Sequence, residues 1–509
     1  MARFYIENFG CRATQADGAA LERQFLDRGL ERAATAQNAE IVVLNTCTVT
    51  DGADKDARAS IRRLQRTNPD CKILVTGCYA QRAPEELAAL PGVTWVVGNS
   101  HKHEAAAIAT ASPAHGFVPI GQLAGNEAER VVVGDIFAHT ELMAAPVFEA
   151  ANERTRPNLK VQDGCDNRCS FCVIPSVRGQ SRSLPMERVI AEVRTLVEAG
   201  YREVVISGIN LGRWGRDLPV DGRLSVVVGE AEPQCRSNRE RLTTNDQRLV
   251  DLIRSILDRT SLEKLRISSV EPMDWSDELI ELLASSPRIA KHAHVPMQSG
   301  SDAVLRRMHR KYRPWHYREK ILKIRGAMPT AAIGADVMVG FPGETDAEFA
   351  ETQRMVEELP FTYLHVFTYS ARPGTPAARH ELQVPVALAR ERNSVLRGIA
   401  AQKRRSFLES LVGTEVEAIT LKTGGVGFTE GLTENYIKAK IAGEHEANRW
   451  VRLRAESIVG EMLFSRPVGG VHQTWESARR SRNESGFGVT RECTKGNNVV
   501  DLQPFARLG

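Results

Sequence analysis

The stretch "DGCDNRCSFC", residues 163–172, holds Cys165, Cys169 and Cys172 at i, i+4 and i+7. Thiolates so spaced ligate zinc or iron–sulfur clusters. Structural zinc usually takes four ligands from two paired knuckles, and no fourth Cys or His follows nearby at that spacing. Three thiolates on a cubane iron–sulfur cluster leave one iron open, and an open iron is a place for chemistry. Phe171, between the last two cysteines, would give such a cluster an apolar cover that helps control its potential. Spacing alone does not name the metal, so zinc stays the alternative.

A second trio is spread along the chain. "RFYIENFGC" ends at Cys11, "AEIVVLNTC" at Cys47 and "CKILVTGC" at Cys78. Each apolar run reads as a strand with a thiol where the strand stops. Between these cysteines lie 35 and 30 residues, about one βα unit each, and ligands of open α/β sheets collect at the carboxyl ends of strands. The three thiols are therefore expected on one sheet edge. Small buried apolar side chains are the plainer reading of cysteine; it suits Cys71, which starts its strand on the opposite edge.

The elements that must position both trios follow from the pattern. Residues 1–130 alternate apolar runs with helical stretches and predict an α/β domain with a parallel sheet. Residues 131–155 are polar and proline-bounded, and read as a linker. Residues 156–410 repeat the alternation, with "REVVISGIN", "EKLRISSVEP", "HAHVPMQSG", "AIGADVMVGFPGET" and "TYLHVFTYSARPGTP" as strand-like runs. That count predicts a full or partial βα barrel with its site on the loops after the strands. Gly208, Asn210, Ser268, Glu271, His294, Gln298 and Asp336 all fall at predicted strand ends. Residues 411–470 switch to period-two alternation and predict a small five-stranded β-barrel. Residues 219–247 interrupt the βα rhythm as a loop insertion, and residues 471–509 read as a disordered tail. Cys235 and Cys493 lie in those segments and receive no role.

Composition bounds the rest. A length of 509 residues suits about three domains. Net charge is only +4, so nucleic-acid contact must come from local basic patches. No secretory leader and no apolar run long enough to span a membrane is visible, which predicts a cytoplasmic protein with reduced thiols. Basic clusters recur at 58–66, 306–320 and 402–406. In the middle one Tyr312, Trp315 and Tyr317 interleave with cations, as phosphate contact plus base stacking would need.

The CxxxCxxC run after the first strand of a βα barrel resembles the radical S-adenosyl-L-methionine (SAM) superfamily. The resemblance implies a [4Fe–4S] cluster on Cys165, Cys169 and Cys172 whose open iron chelates SAM. It also implies SAM contacts from Gly208, Asn210, Ser268, Glu271, Gln298 and Asp336. Two three-cysteine sites, a barrel between them and a C-terminal β-barrel together resemble the radical SAM methylthiotransferases, over about residues 3–470. That implies a second [4Fe–4S] cluster on Cys11, Cys47 and Cys78, two SAM molecules per turnover, and a β-barrel of the TRAM type. "NTCTVT" followed by a basic helix, and "GLTENYIKAK", are similar to the branch that modifies N6-threonylcarbamoyladenosine. The implied partners are a tRNA anticodon loop and an electron donor such as flavodoxin or ferredoxin, with no membrane, and the chain a monomer. The alternatives are methylthiolation of N6-isopentenyladenosine or of a ribosomal-protein aspartate, and, outside enzymes, a zinc-bearing RNA-binding protein.

Overall fold

A computed structural model describes residues 2–111, 130–138, 142, 155–218 and 248–468. The insertion at 219–247 and the tail after 470, with Cys235 and Cys493, lie outside the described residues. The N-terminal sheet has the order β2 (Glu31–Arg32), β1 (Arg3–Asn8), β3 (Ile41–Thr46), β4 (Lys72–Gly77), β5 (Val93–Val97) and β6 (Val131–Val132), all parallel. β3 is buried along its whole length, as a continuous apolar run covered on both faces should be. β6 comes from the stretch read as linker. Its backbone completes the sheet edge, a role that a two-residue strand does not announce in sequence.

Small residues set the packing around this sheet. The helix Arg12–Leu26 buries Ala13, Ala16, Gly18, Ala19 and Ala20, which lets its backbone approach neighbours closely. A Cβ on Gly18 would lie 1.9 Å from Asn8 Oδ1. The helix Asp51–Thr67 starts on Thr50, whose hydroxyl accepts from Ala53 N at 3.2 Å, with Asp51 and Asp54 complementing the positive helix end.

A second sheet system follows. β7 (Asn158–Asp163), β9 (Glu203–Gly208) and β10 (Lys264–Ile267) pair in parallel, with β8 (Arg182–Ser183) antiparallel on the edge of β7. β11 (His292–His294), β12 (Ala332–Val339) and β13 (Tyr363–Thr368) form the other parallel set. Isolated parallel bridges, Leu265 to Ile289 and Ser269 to His294, stitch the two sets together. Six parallel strands thus make a partial barrel, with a seam between β7 and β13. The N-terminal module touches both sides of that seam. Asn158 Nδ2 donates to Arg12 O at 2.8 Å beside β7. Past β13, Arg372 donates to Thr48 O at 3.1 Å and Asp54 at 2.9 Å.

Strand alternation decides what fills the barrel. Leu159, Val161, Val204, Ile206, Leu265, Ile267, Ile333, Ala335 and Val337 join one apolar core with the surrounding helices. Because successive side chains point to opposite faces, the intervening positions face inward. Most of those positions are polar, namely Lys160, Gln162, Glu203, Ser207, Arg266, Ser268, His292, His294 and Asp336, with Val205, Ala332, Gly334 and Met338 the exceptions. The interior is therefore a polar chamber and not a packed hydrocarbon core.

The long helix Val386–Leu411 leads to a closed five-stranded barrel in the order β14 (Glu415–Gly425), β15 (Phe428–Thr433), β16 (Lys438–Ala442), β18 (Met462–Pro467) and β17 (Trp450–Val459). Its core of Val416, Ala418, Ile437, Ala439, Ile441, Leu453, Ala455 and Leu463 also takes in Leu408 and Leu411 of that helix. It docks on the amino ends of the larger barrel's strands. Lys264 pairs with Glu417 at 3.0 Å and Glu434 at 3.3 Å, and Arg266 donates to Glu434 O at 3.0 Å. Among the described residues no helix is long and apolar enough to cross a membrane.

Candidate active site

The first trio grows from the end of β7. Gly164 has φ +70°, and a Cβ there would lie 1.8 Å from Gln180 O, so the turn into the cysteine loop requires glycine. Cys165 N donates to Gly179 O at 3.1 Å, which ties the loop back on itself. Backbone N–H groups then point at sulfur: Asn167 N to Cys165 Sγ at 3.4 Å and Ile174 N to Cys172 Sγ at 3.5 Å. Side chains add two more donors. Asn210 Nδ2 lies 3.6 Å from Cys165 Sγ, and Arg310 Nη1 lies 3.3 Å from Cys169 Sγ. Burial, reinforced by Cys169 and Cys165, pushes the Cys172 thiol up to about 12; burial also raises Cys165.

Parallel pairing of β1, β3 and β4 brings the second trio to one sheet edge. Gly77 has φ +102°, and a Cβ there would lie 2.3 Å from Thr46 O, so only glycine lets β4 turn into Cys78. Gly10 has φ +95°, and a Cβ there would stand 2.7 Å from Cys47 Sγ, which places the Cys11 turn directly against Cys47. Burial first, then Cys78 and Cys11, push the Cys47 thiol up to about 12. Cys47 thus senses both of the other thiols. Val49 N points at Cys47 Sγ at 3.5 Å and Asn99 Nδ2 at Cys78 Sγ at 3.6 Å. Cys71 is buried in the apolar core beneath the sheet instead.

The two trios share a short connection. Cys78 packs on Val173 and Val177, residues that immediately follow Cys172, and Asn99 Nδ2 also donates to Val177 O at 2.7 Å. Beside them lies a buried charge network. Asp17 accepts from Lys102 at 3.0 Å, from Arg178 at 2.9 Å and from Lys160; Asp163 accepts from Lys160 at 2.7 Å and Arg178 at 3.0 Å. Burial alone would raise Asp17, but the three cations outweigh it and hold its carboxyl well below the usual range. Three cations face two carboxylates, so the network carries one excess positive charge, and Arg178 acts electrostatically on both Cys78 and Cys11.

These surroundings fit [4Fe–4S] clusters at both trios. Each trio offers soft thiol donors, N–H groups aimed at sulfur, and a nearby cation to balance an anionic thiolate cluster. Among the described residues no group of three or more His, Cys, Asp or Glu side chains closes around a single metal ion.

The remaining sequence candidates divide. Gly208 ends β9 against Gln162, where a Cβ would lie 2.8 Å from Gln162 Oε1. Among the described residues Asn210 Oδ1, Ser268 Oγ and Gln298 Oε1 are buried without a hydrogen-bond partner, as is Ser207 Oγ. Buried polar atoms are nearly always paired, so this group is suited to a polar ligand. Gln298 also adopts φ +60°, a conformation costing about 1–3 kcal/mol that persists only where surroundings enforce it. Glu271 is bound by Arg310, which couples it to Cys169. Asp336 sits within β12 and not at its end, and meets His294 at 3.3 Å inside the barrel.

The aromatic reading of residues 306–320 does not survive. Tyr312 and Tyr317 are buried and donate to Met297 O at 2.6 Å and Val295 O at 2.7 Å. Tyr317, Ile321 and Ile324 form an i, i+4, i+7 stripe that faces the core. Several of the cations are occupied too: Arg306 by Asp302 at 2.8 Å, Arg307 by Glu348 at 2.7 Å, and Arg318 by Glu358. Only Trp315 remains an exposed aromatic. In the other clusters Arg63 pairs with Glu7 and Arg405 with Glu409, while Arg62 and Arg66 stay exposed. Arg178 and Arg12 were not singled out from sequence, although both lie within six residues of a cysteine ligand, and Arg310 was read only as part of the basic cluster at 306–320.

The barrel and its cysteine loop define a class: residues 159–356 match the Radical SAM superfamily, and residues 3–98 match the uncharacterized protein family UPF0004. A threonylcarbamoyladenosine tRNA methylthiotransferase MtaB of Bacillus subtilis (strain 168) is 36% identical over 455 residues, covering 88% of this chain and 92% of that protein. Its counterpart from Aquifex aeolicus (strain VF5) is 34% identical, covering 88% and 98%. A tRNA-2-methylthio-N(6)-dimethylallyladenosine synthase of Mycobacterium ulcerans (strain Agy99) is 32% identical, covering 89% and 79%. The chain belongs to the threonylcarbamoyladenosine tRNA methylthiotransferase family.

Proposed function

We propose that this protein adds a methylthio group to C2 of N6-threonylcarbamoyladenosine at position 37 of tRNA, next to the anticodon. The observation that carries the reading is the meeting of two three-cysteine sites from separate modules, with Cys78 seated on the helix that follows Cys172. Cys165, Cys169 and Cys172 hold one [4Fe–4S] cluster; Cys11, Cys47 and Cys78 hold the other. When bound, the two clusters and two SAM molecules supply reductive SAM cleavage at one site and a methylated sulfur at the other.

The chain's own residues do the rest. Gly208, Asn210, Ser268, Glu271, Gln298 and Asp336 bind SAM, and Glu271 is held in place by Arg310. The polar chamber orients the adenosine while the apolar shell of the barrel excludes bulk water from reactive species. Asp17, Lys102, Lys160, Asp163 and Arg178 fix one module against the other and so fix the separation of the two sites. An anticodon-loop base is unpaired and enters such a chamber at modest cost. Exposed Arg62, Arg66 and Trp315 are available to the RNA. The protein works in the cytoplasm as a monomer, with an electron donor such as flavodoxin or ferredoxin.

Mass analysis of tRNA nucleosides from a deletion strain, and from the strain complemented with this chain, tests the reading. Loss and restoration of the methylthio mark on N6-threonylcarbamoyladenosine alone is the expected result. Loss from an isopentenyladenosine or from a ribosomal protein instead would assign the chain to another branch. A colourless, zinc-loaded protein from anaerobic purification would remove it from the enzymes altogether.

A further inference from the structure

The barrel interior adjoins a cavity that none of the roles above uses. It measures about 460 Å3 and lies where the three modules meet. Arg12 and Gln15 line it from the N-terminal module, Thr155 and Asn158 from the approach to β7, and Lys422 and Tyr436 from the C-terminal barrel. Arg12 directly follows Cys11 of the second trio. Its guanidinium donates to Tyr436 Oη at 3.3 Å and lies 5.9 Å from the centre of the same ring. No carboxylate pairs with it among the described residues. The other cations of the cavity are engaged: Arg156 faces Glu203 at 3.8 Å, and Lys422 has interactions of its own.

A run of aromatic rings leads from Tyr436, on the cavity wall, toward the polar chamber. Tyr436 lies tilted against Tyr363 at 5.9 Å, and edge-to-face contacts join Tyr363 to His365 at 5.3 Å and His365 to His294 at 5.7 Å. His294 holds Asp336 at 3.3 Å. Among the described residues the arrangement is a guanidinium without a counter-ion, a run of aromatic rings, and a tethered acceptor. A planar fork of N–H donors in a shielded site matches a carboxylate.

We propose that Arg12 binds the carboxylate of the threonylcarbamoyl group and so selects which adenosine the enzyme accepts. This inference rests on the substrate reading above. The acceptor atom C2 must approach the second trio, because the transferred sulfur is held there. C2 and the N6 substituent lie on one edge of adenine, with only N1 and C6 between them. A carboxylate carried by that substituent therefore falls within about one nucleobase length of Cys11, which a side chain on the adjoining residue can span. Asp336 then accepts from the ureido N–H or the threonyl hydroxyl, while the aromatic rings cover the rest. An N6-dimethylallyl group carries no charge and leaves a partly buried guanidinium unpaired, so the same residue both attracts one nucleoside and disfavours the other.

The test uses the full-length, iron-loaded chain and two anticodon stem–loop RNAs that differ only in the threonylcarbamoyl group, with binding followed anaerobically by fluorescence anisotropy. The wild type should prefer the modified loop by about ten- to a hundredfold, the range of one charge-assisted pair. Arg12→Gln should reduce that preference to less than about threefold, leaving affinity for the unmodified loop and iron per chain unchanged. Arg12→Lys should keep part of it. A third RNA, carrying the threonyl group as its methyl ester, makes the same demand on the wild type and needs no variant to fold: the ester should lose the preference. Unchanged preference in Arg12→Gln, or an ester that binds as well as the acid, overturns the inference. Equal weakening of both loops overturns it in favour of a backbone phosphate. A wild type with no preference at all strikes instead at the substrate reading.

Discussion

Asp17 is the residue on which the two modules turn. It belongs to the N-terminal helix Arg12–Leu26, yet two of its three cationic partners, Lys160 and Arg178, belong to the barrel. Asp17→Asn keeps the shape and removes the charge. The network then passes from one excess positive charge to two, with Lys102, Lys160 and Arg178 left to Asp163 alone. Three charge-assisted contacts at about 1.5–3 kcal/mol each would suggest a larger total, but they share one carboxylate and do not add. The measured cost of breaking buried ion pairs, about 3–5 kcal/mol, is the better figure. Urea denaturation of the full chain under anaerobic conditions, with iron content followed in parallel, reads it. The pH dependence has a definite sign. Asp17's folded pKa is depressed, so its contribution is fully present above the unfolded value of about 3.9 and is lost as pH falls through the folded one. The gap between wild type and Asp17→Asn should therefore hold from about pH 5 to 7 and close in stronger acid; burial lowers the pKa of Lys102, so the gap also narrows in alkali as Lys102 loses its proton. Asp17→Asn combined with Lys102→Met returns the excess charge to one and should recover most of the loss. A single variant within about 0.5 kcal/mol of wild type, or a double variant no better than the single, would refute the electrostatic account.

Three further outcomes follow from the same geometry. Cys47→Ala and Cys165→Ala should each lose about half of roughly eight irons per chain, because the two trios sit in separate modules; iron and sulfide analysis decides it. Arg310→Met removes the cation beside Cys169 and should move that cluster's reduction potential to more negative values, by about 60–130 mV if the contact is worth about 1.5–3 kcal/mol; titration monitored by electron paramagnetic resonance would detect it. Gly77→Ala forces a Cβ into Thr46 O and should cost about 1–3 kcal/mol, with iron lost from the Cys11, Cys47 and Cys78 site and retained at the other.

Some of this was readable because the information is local. Cys165, Cys169 and Cys172 share one turn, so their spacing is their geometry. Cys11, Cys47 and Cys78 were readable one step further on, since parallel strands of similar length must end on one edge. The tyrosines of 306–320 were misread because a basic, aromatic string looks the same whether its rings face RNA or the core; the stripe from Tyr317 to Ile324 was the available clue. Arg310 gave no clue, since its partners Cys169 and Glu271 are 141 and 39 residues away.

By itself the order of residues determined the strands, the thiols at their ends, the period change into the C-terminal barrel, and hence the kind of chemistry. Only the tertiary structure decided that Cys78 meets the helix after Cys172, that one carboxylate on Asp17 anchors two modules, and that Arg12 stands without a counter-ion among the described residues. The reason is physical. Backbone periodicity and turn chemistry act over a few residues and are written in the chain. Charge balance and desolvation act through space, between groups such as Asp17 and Arg178 that 161 positions separate.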